Sequence, residues 1–197
     1  MTYDLMTALV AFAFVTSITP GPNNLMLMAS GANFGLRRTV PHALGVALGF
    51  VAMAVLVGLG VAEVFERYPV MHAVLTVVSV LYMLWLAWHI ATAAAPEGRE
   101  STGTPLTFLQ AAAFQWVNPK AWTMALGAMT VYAPDGSALS ILLVAVVFGM
   151  VNLPAVGSWA ILGQQMQRVL TNPARLRLFN WAMAALLVAS LLPVVMG

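Results

Sequence analysis

The sequence predicts an all-α integral membrane protein: six transmembrane helices form two inverted three-helix repeats, and helices 1 and 4 are broken near the midplane. Composition is the first reason, because 61% of the 197 residues are hydrophobic and only 7% are charged, whereas soluble domains carry roughly 25% charged residues. Proline is the second reason, because it interrupts two long apolar stretches, at residues 19–24 and 118–120. One span needs about 20 apolar residues, so the chain holds about six spans and no separate catalytic domain.

The predicted spans form a single transporter domain, residues 1–197, with short loops between them. A polar connector at 96–105, rich in Gly, Ser, Thr and Pro, separates a first half, 1–95, from a second half, 106–197. Each half holds an odd number of spans, so the second half is inverted relative to the first. The spans are expected at about 5–32, 40–62, 70–95, 106–132, 138–162 and 178–196.

The arginines predict the orientation in the membrane. Cytoplasmic loops of membrane proteins carry an excess of Lys and Arg. The loops on the opposite side hold only Arg67. Both termini are therefore expected outside the cytoplasm, across the membrane from the arginine-rich loops, which carry Arg37, Arg38, Arg99, Arg168, Arg175 and Arg177.

The first interruption is Thr-Pro-Gly-Pro-Asn-Asn, residues 19–24. Its two prolines remove backbone donors and clash with the preceding turn, and Gly21 allows unusual backbone angles. A lipid-exposed break would leave polar groups without partners, so such breaks lie inside protein or beside a water-filled cavity. A pair of broken helices at matching positions in two halves is typical of a transporter binding region.

The two interruptions carry the candidate site. Thr19-Pro20 and Asn118-Pro119 each read as an N-cap followed by proline at the first helical position, and a helix N-terminus attracts a carboxylate. Lys120 is the single lysine of the chain and lies deep in a predicted span, where a charge is costly unless it is paired or hydrated. A polar, positive centre suits a small zwitterion. The predicted substrate-binding residues are Thr19, Pro20, Gly21, Pro22, Asn23, Asn24, Gln115, Asn118, Pro119, Lys120 and Asn152.

Simpler interpretations of these residues stay open. Prolines in membrane helices often serve architecture alone, and Lys120 could extend to an interface if its span is shifted. Asn152, with Pro154 after it, either lines the cavity or only kinks its helix. A small-residue motif, Gly45-xxx-Gly49, packs either another helix of the chain or a second subunit.

Several classes of function are excluded. The absence of cysteine rules out disulfides and thiolate metal sites, and His42, His72 and His89 lack ligand spacing; they suit packing or interfaces, with proton coupling as the alternative. No acid and base pair lies within the spans, so no catalytic residue, metal or cofactor is expected. The net charge of +2 comes from scattered loop residues and does not indicate nucleic-acid binding.

Five segments carry a resemblance to a known family: residues 19–24, Gly35-x-Arg37-Arg38, 43–49, 84–88 and Phe-Gln-Trp-Val-Asn-Pro-Lys at 114–120. With these motifs the chain resembles the LysE-type amino-acid exporters over nearly its whole length. The resemblance implies six spans, a bacterial inner membrane, export of amino acids or derivatives driven by an ion gradient, and a homodimer. The doubled asparagine and the Gln-Trp-Val-Asn segment are most similar to the branch that exports cysteine and O-acetylserine.

A neutral substrate is expected. Exporters of basic amino acids in this family tend to carry an acidic group in the second span, whereas residues 40–62 contain no Asp or Glu. A lysine or arginine substrate would lack a buried counter-ion. The expected function is secondary active export of small neutral amino acids or derivatives across the lipid bilayer, coupled to a proton or another ion. The alternatives are a passive channel or facilitator and an intramembrane metal- or redox-handling protein of similar design.

In the expected complex, the substrate carboxylate lies at Lys120 and the half-helix N-termini. Its amino group meets carbonyls that the prolines free, such as those of Thr16, Ile18 and Gln115.

Overall fold

The computed structural model describes residues 1–93 and 104–192, which form helices joined by short turns. Most of the predicted connector at 96–105, the end of the last predicted span and the side chain of His72 lie outside this description. A π-helical turn, Val57–Val61, follows α3, and a 3-10 turn, Gln115–Val117, follows α6. The helices are α1 (Tyr3–Ile18), α2 (Pro22–Phe34), α3 (Leu36–Leu56), α4 (Ala62–Arg67), α5 (Pro69–Ala91), α6 (Phe108–Phe114), α7 (Pro119–Tyr132), α8 (Ala138–Met166) and α9 (Pro173–Ala189).

The described part of the chain contains three helices that are long and apolar enough to cross a membrane: Leu36–Val61, Ala73–Ala91 and Ala138–Met166. The pair α1 and α2 passes the same test together and is bent by 55° at the break. Large apolar side chains recur every four residues on the outer face of α8, at Leu142, Val146 and Met150. This face suits contact with lipid, and the chain is an all-α protein of membrane character. The six-span inverted arrangement stays a prediction.

Helix α8 is the central element of the packing and contacts α1, α2 and α3. It crosses α2 at two glycines: a Cβ on Gly31 would overlap the carbonyl oxygen of Ala160, and one on Gly163 would overlap that of Met28. The two backbones therefore touch directly. Pro154 lies inside α8 without interrupting it, so the candidate break near Asn152 is a continuous helix.

The small-residue motif of α3 packs within the chain. A Cβ on Gly45 would overlap the carbonyl oxygen of Phe108, and one on Gly49 would meet the Ala112 backbone. The motif was expected to pack either against another helix of the chain or against a second subunit. The structure shows it in contact with α6 of the same chain.

The start of α3 differs from the prediction. The second span was expected from residue 40, but α3 begins at Leu36, directly after Gly35. Gly35 has φ +77°, a left-handed conformation that glycine adopts without strain. The amide of Leu36 donates to Oε1 of Gln164, 2.7 Å away. An acceptor from α8 thus fixes this helix start, and sequence periodicity does not reveal it.

Aromatic side chains hold α1, α3, α7 and α8 together on one side of the breaks. The ring of Phe148 lies 4.8 Å from that of Phe50 and 6.0 Å from that of Phe12, centroid to centroid. Tyr132 packs on Phe12 and donates its hydroxyl proton to the carbonyl of Ala8, 3.2 Å away. This core positions α1 against α7, so that the two interruptions face each other.

Candidate functional site

The first interruption separates α1 from α2. Helix α1 ends at Ile18, Thr19 is extended, and α2 begins at Pro22. Thr19 was predicted as an N-cap, which is wrong: Pro22 takes the first helical position, so the cap falls on Gly21, and Thr19 ends α1 instead. The Thr19 hydroxyl donates to the carbonyl of Thr16, 3.1 Å away.

Side chains replace the backbone donors that the prolines cannot supply. Nδ2 of Asn24 donates to the carbonyls of Ser17 and Thr19, both at 2.8 Å. Nε1 of Trp159, on α8, donates to the carbonyl of Ile18 at 3.1 Å. Buried carbonyls at a helix end need such partners, so α2 and α8 together hold the end of α1 in place.

The second interruption separates α6 from α7. After the 3-10 turn, Asn118 takes an extended conformation and α7 begins at Pro119. Oδ1 of Asn118 accepts from the amide of Lys120 at 3.1 Å, which confirms the predicted N-cap with proline at the first helical position. Nε1 of Trp122, on α7, donates to the carbonyl of Trp116, on the other side of the break, at 2.9 Å.

Lys120 joins the two interruptions. Its Nζ donates to the carbonyl of Thr19 at 2.7 Å, to the Thr19 hydroxyl at 2.9 Å and to the carbonyl of Pro20 at 3.3 Å. A positive charge at the C-terminal carbonyls of α1 also complements the helix dipole. The single lysine of the chain thus lies between the two breaks.

Gly21 makes room for this lysine. A Cβ on Gly21 would lie 2.7 Å from Cδ and 3.1 Å from Nζ of Lys120. The backbone of Gly21 is extended, with φ 177°, so the unusual angles expected from the sequence are not what this position requires. It requires the space that a missing side chain leaves.

A second contact joins the interruptions through amides. Nδ2 of Asn23 donates to Oε1 of Gln115 at 2.8 Å, and Nε2 of Gln115 donates to Oδ1 of Asn23 at 3.2 Å. Gln115 also donates to the carbonyl of Ala111 at 2.8 Å and is completely buried. The two residues are 92 positions apart in sequence, so this pair ties the first half of the chain to the second.

A small central cavity lies beside these contacts. Its volume is about 20 Å³, enough for about one water molecule. Six of the predicted site residues line it: Gly21, Asn23, Asn24, Asn118, Lys120 and Asn152. The other predicted residues lie behind this lining, as bonding partners or helix starts: Thr19, Pro20, Pro22, Gln115 and Pro119. Thr16, whose carbonyl was expected to meet the substrate amino group, also lines the cavity, and sequence reasoning missed five lining residues: Ser17, Phe50, Ala121, Met124 and Val156.

Two polar atoms of the central cavity have no partner. The Oγ of Ser17 and the Oδ1 of Asn152 are buried without a hydrogen bond, and both residues line this cavity. An unsatisfied buried polar group costs about 1–3 kcal/mol, and such groups are rare in folded proteins. Both oxygens can accept, so a molecule in this cavity that carries N–H or O–H groups would satisfy them.

A large cavity of about 500 Å³ lies further along α2, toward the C-terminal end of that helix. It is bounded by α2, α3, α5 and α6, and His42 of α3 is in its wall. Its apolar lining includes Met26, Trp85, Leu86, Ile90 and Leu106, and its polar lining includes Ser30, Asn33, His42, His89, Thr92, Thr104 and Gln110.

An all-helical membrane protein with two facing helix breaks around a buried polar cavity is, by class, a transporter. The model of the LysE type translocator family matches residues 14–191, and the chain belongs to this family. It is an amino-acid efflux translocator and not an enzyme, and the resemblance in the sequence is confirmed.

Relatives cover nearly the whole chain. A cysteine/O-acetylserine efflux protein of Klebsiella pneumoniae is 29% identical over 194 residues, which are 95% of each chain. A protein of the same name from Escherichia coli K12 is 30% identical over 192 residues, 95% of this chain and 96% of that one. No solved structure matches the chain.

Proposed function

We propose that the protein is a secondary active exporter of small neutral amino acids or close derivatives across the bacterial inner membrane. Export draws on the proton gradient, or on that of another ion, and both termini lie outside the cytoplasm. The protein works as a homodimer in the bilayer. The observation that carries the proposal is the meeting of two interrupted helices at Lys120, beside a cavity with two unpartnered oxygens.

The substrate carboxylate binds at Lys120. In the described conformation the Lys120 ammonium donates to Thr19 twice and to Pro20 once. The present acceptors are neutral oxygens, whereas a carboxylate carries a full negative charge and can also take two of the ammonium's hydrogen bonds, so it attracts the ammonium more strongly. It would therefore compete for the ammonium and loosen the contact between the two breaks. Substrate binding is in this way linked to the geometry of the site.

The substrate amino group binds at Ser17 and Asn152. The carbonyls of Thr16, Ile18 and Gln115, expected from the sequence to receive it, already accept from within the chain. Ser17 Oγ and Asn152 Oδ1 instead lack donors. An ammonium group offers three donors, so it can satisfy both oxygens, whereas a carboxylate has no proton to donate to Oδ1 of Asn152.

Neutral side chains fit the cavities better than cationic ones. Neither cavity has Asp or Glu among its described lining residues, so a lysine or arginine side chain would find no carboxylate partner there. Cysteine and O-acetylserine, named in the relatives, are small and neutral in this sense. They are the first substrates to test.

Transport requires the central cavity to widen. Its volume of about 20 Å³ is too small for an amino acid, so the two interruptions must part while substrate is bound. We propose that one half of the chain rocks against the other around Lys120, which gives alternating access to the two sides. The Asn23–Gln115 pair, which joins the halves, is then remade in every cycle.

Efflux from proteoliposomes tests this function. The purified protein is reconstituted with labelled cysteine, O-acetylserine, alanine, serine or lysine inside, with and without an imposed proton gradient. The expected result is that an imposed proton gradient continues the efflux of a neutral amino acid after its concentrations inside and outside have become equal. Lysine should move little. Protein-free vesicles loaded in the same way are the control.

Each outcome separates the alternatives. Movement that only equalises concentrations identifies a passive facilitator. Export of lysine in preference to neutral amino acids contradicts the proposed substrate class. No movement of any amino acid by folded, inserted protein contradicts the proposed function.

A further inference from the structure

His42 has an unusual environment in the wall of the large cavity. Its side chain is only 1% exposed, and neither Nδ1 nor Nε2 has a hydrogen-bond partner. A neutral imidazole carries one donor and one acceptor, and buried polar groups are normally hydrogen-bonded. Both nitrogens thus lack the partners that their burial calls for.

Other polar side chains of the same wall are already bonded within the protein. The Ser30 hydroxyl donates to that of Thr39 at 2.8 Å, because the Thr39 hydroxyl itself donates to the carbonyl of Gly35. The side-chain amides of Asn33 and Asn180 donate to each other, at 2.8 and 3.1 Å. Bonds also engage Thr92, with the carbonyl of Trp88, and Gln110, with the amide of Thr107. His42 therefore differs from these neighbours: it is buried and polar, it lines the cavity, and neither of its nitrogens is hydrogen-bonded within the protein.

The cavity has the size and lining of a small-molecule site. Its volume of about 500 Å³ lies in the range of about 300–1,000 Å³ that such sites show, and mostly apolar walls with a few polar groups are typical of them. Met26, Leu86, Ile90 and Leu106 offer an apolar wall. The indole of Trp85 packs on the ring of His89, with the ring centroids 4.2 Å apart.

We propose that the large cavity is a second binding site for a neutral amino acid, with His42 as its polar anchor. A zwitterion presents an acceptor and donors together, which matches the donor and the acceptor of one neutral imidazole. The apolar wall receives the uncharged side chain. This inference rests on the proposed function, because it concerns the same substrate at an earlier stage of export.

The position of α2 relates the two sites. Its first turn, at Asn23 and Asn24, lines the central cavity, and its next turns, at Met26, Ala29 and Ser30, line the large one. In the proposed orientation the large cavity lies toward the arginine-rich, cytoplasmic side. An amino acid bound there lies further along α2 than the Asn23–Gln115 pair and the central cavity, so it occupies a loading site.

Two variants of His42 test the loading site through efflux kinetics. His42→Leu removes both polar atoms and should raise the KM for the exported amino acid about tenfold or more, with little change in kcat. His42→Gln keeps one donor and one acceptor and should restore most of the affinity. Leu44→Ala, on the outer face of the same helix, is the control. Wild-type KM in His42→Leu overturns the inference while leaving export, and thus the proposed function, intact.

A binding measurement tests the loading site on protein that does not have to transport. Labelled amino acid that the wild type exports is bound to purified Lys120→Ala protein, which keeps the large cavity intact. We expect the Lys120→Ala protein to bind the amino acid and the double variant Lys120→Ala/His42→Leu not to bind it. If folded Lys120→Ala protein binds no amino acid, the loading site is contradicted. If the wild type exports no amino acid, the proposed function itself is contradicted, and the loading site with it.

Discussion

Lys120 and Thr19, 101 positions apart in sequence, share two hydrogen bonds, from Nζ to the carbonyl and to the hydroxyl of Thr19. The lysine stands at the start of α7 and the threonine at the end of α1. Their contact brings the positive N-terminal end of one helix and the negative C-terminal end of another to one point. The Lys120 ammonium at this point is hydrogen-bonded to the protein itself, and a stronger acceptor such as a carboxylate would compete for these bonds.

Removal of this cation should stop transport. Lys120→Ala and Lys120→Met should lower the efflux rate by about 100-fold or to background, because no other charged group lines the described central cavity. Lys120→Arg keeps the charge and should retain part of the rate. Efflux from vesicles is measured at equal amounts of inserted protein. Normal efflux by Lys120→Met would remove the lysine from the mechanism.

Gly21→Ala tests the space for the lysine side chain. Its Cβ would lie 2.7 Å from Cδ of Lys120, while the extended backbone accepts alanine. We expect an inserted protein with thermal stability near that of the wild type and at least about tenfold lower efflux. Gly157→Ala, on α8 with no atom within 4 Å of the added Cβ, is the matched control. Equal efflux by both variants would contradict the assigned role of Gly21.

Gly31→Ala and Gly163→Ala test the crossing of α2 and α8. In each the added methyl would overlap a backbone carbonyl of the other helix, and a backbone cannot move aside as a flexible side chain can. Overpacking costs about 1–3 kcal/mol, so the temperature of unfolding in detergent should fall in both variants. The Gly157→Ala protein provides the baseline. A melting temperature within a degree or so of that baseline would mean that the two helices are not in backbone contact.

The Asn23–Gln115 pair should behave as a coupled unit. Asn23→Ala removes one partner of the buried Gln115, and Gln115→Ala removes the partner of the half-buried Asn23, so each should cost about 1–3 kcal/mol of folding free energy. The double variant should cost less than the sum of the two single variants, by about 0.5–3 kcal/mol. Unfolding free energies of all four proteins form the cycle. Strict additivity would show that the two amides do not interact.

Ser17→Ala and Asn152→Leu test the position of the substrate amino group. Each should weaken inhibition by the exported amino acid about tenfold, and neither should weaken inhibition by the analogue that has hydrogen in place of the amino group. The inhibition constants of the two compounds are measured in efflux assays, and their ratio in each variant is compared with that in the wild type. Ser158→Ala, whose hydroxyl is bonded to the carbonyl of Ala155 at 2.6 Å, is the control on α8. Equal losses for both compounds would place the amino group elsewhere.

The local chemistry of the site was readable from the sequence, and its long-range partners were not. Proline and Asn-Pro mark interruptions by rules that act within a few residues, so the second helix break and the Asn118 cap were predicted correctly. Which residue would satisfy each exposed carbonyl depends on packing between helices. The bonds of Trp159 to Ile18 and of Lys120 to Thr19 join residues more than a hundred positions apart.

The same distinction explains the misses. Ser17 precedes the break within an apolar helix and looks like any small helical residue, so only the packing of α8 against α1 reveals its unpartnered hydroxyl. The large cavity likewise arises where α2, α3, α5 and α6 fail to fill the space between them. A helical pattern identifies the buried face of each helix, but it does not show where neighbouring faces stand apart. The burial of His42 could thus be suspected, whereas its missing partners could not.

The bare crossing of α2 and α8 has a mechanical consequence. Helix α2 belongs to the first half of the chain and α8 to the second, so the two halves touch backbone to backbone at Gly31 and Gly163. In the proposed rocking motion this contact is the pivot, because a backbone yields less than a flexible side chain. Asn24 and Asn152 lie on these same two helices, so a rotation about the pivot would change the width of the central cavity that both residues line.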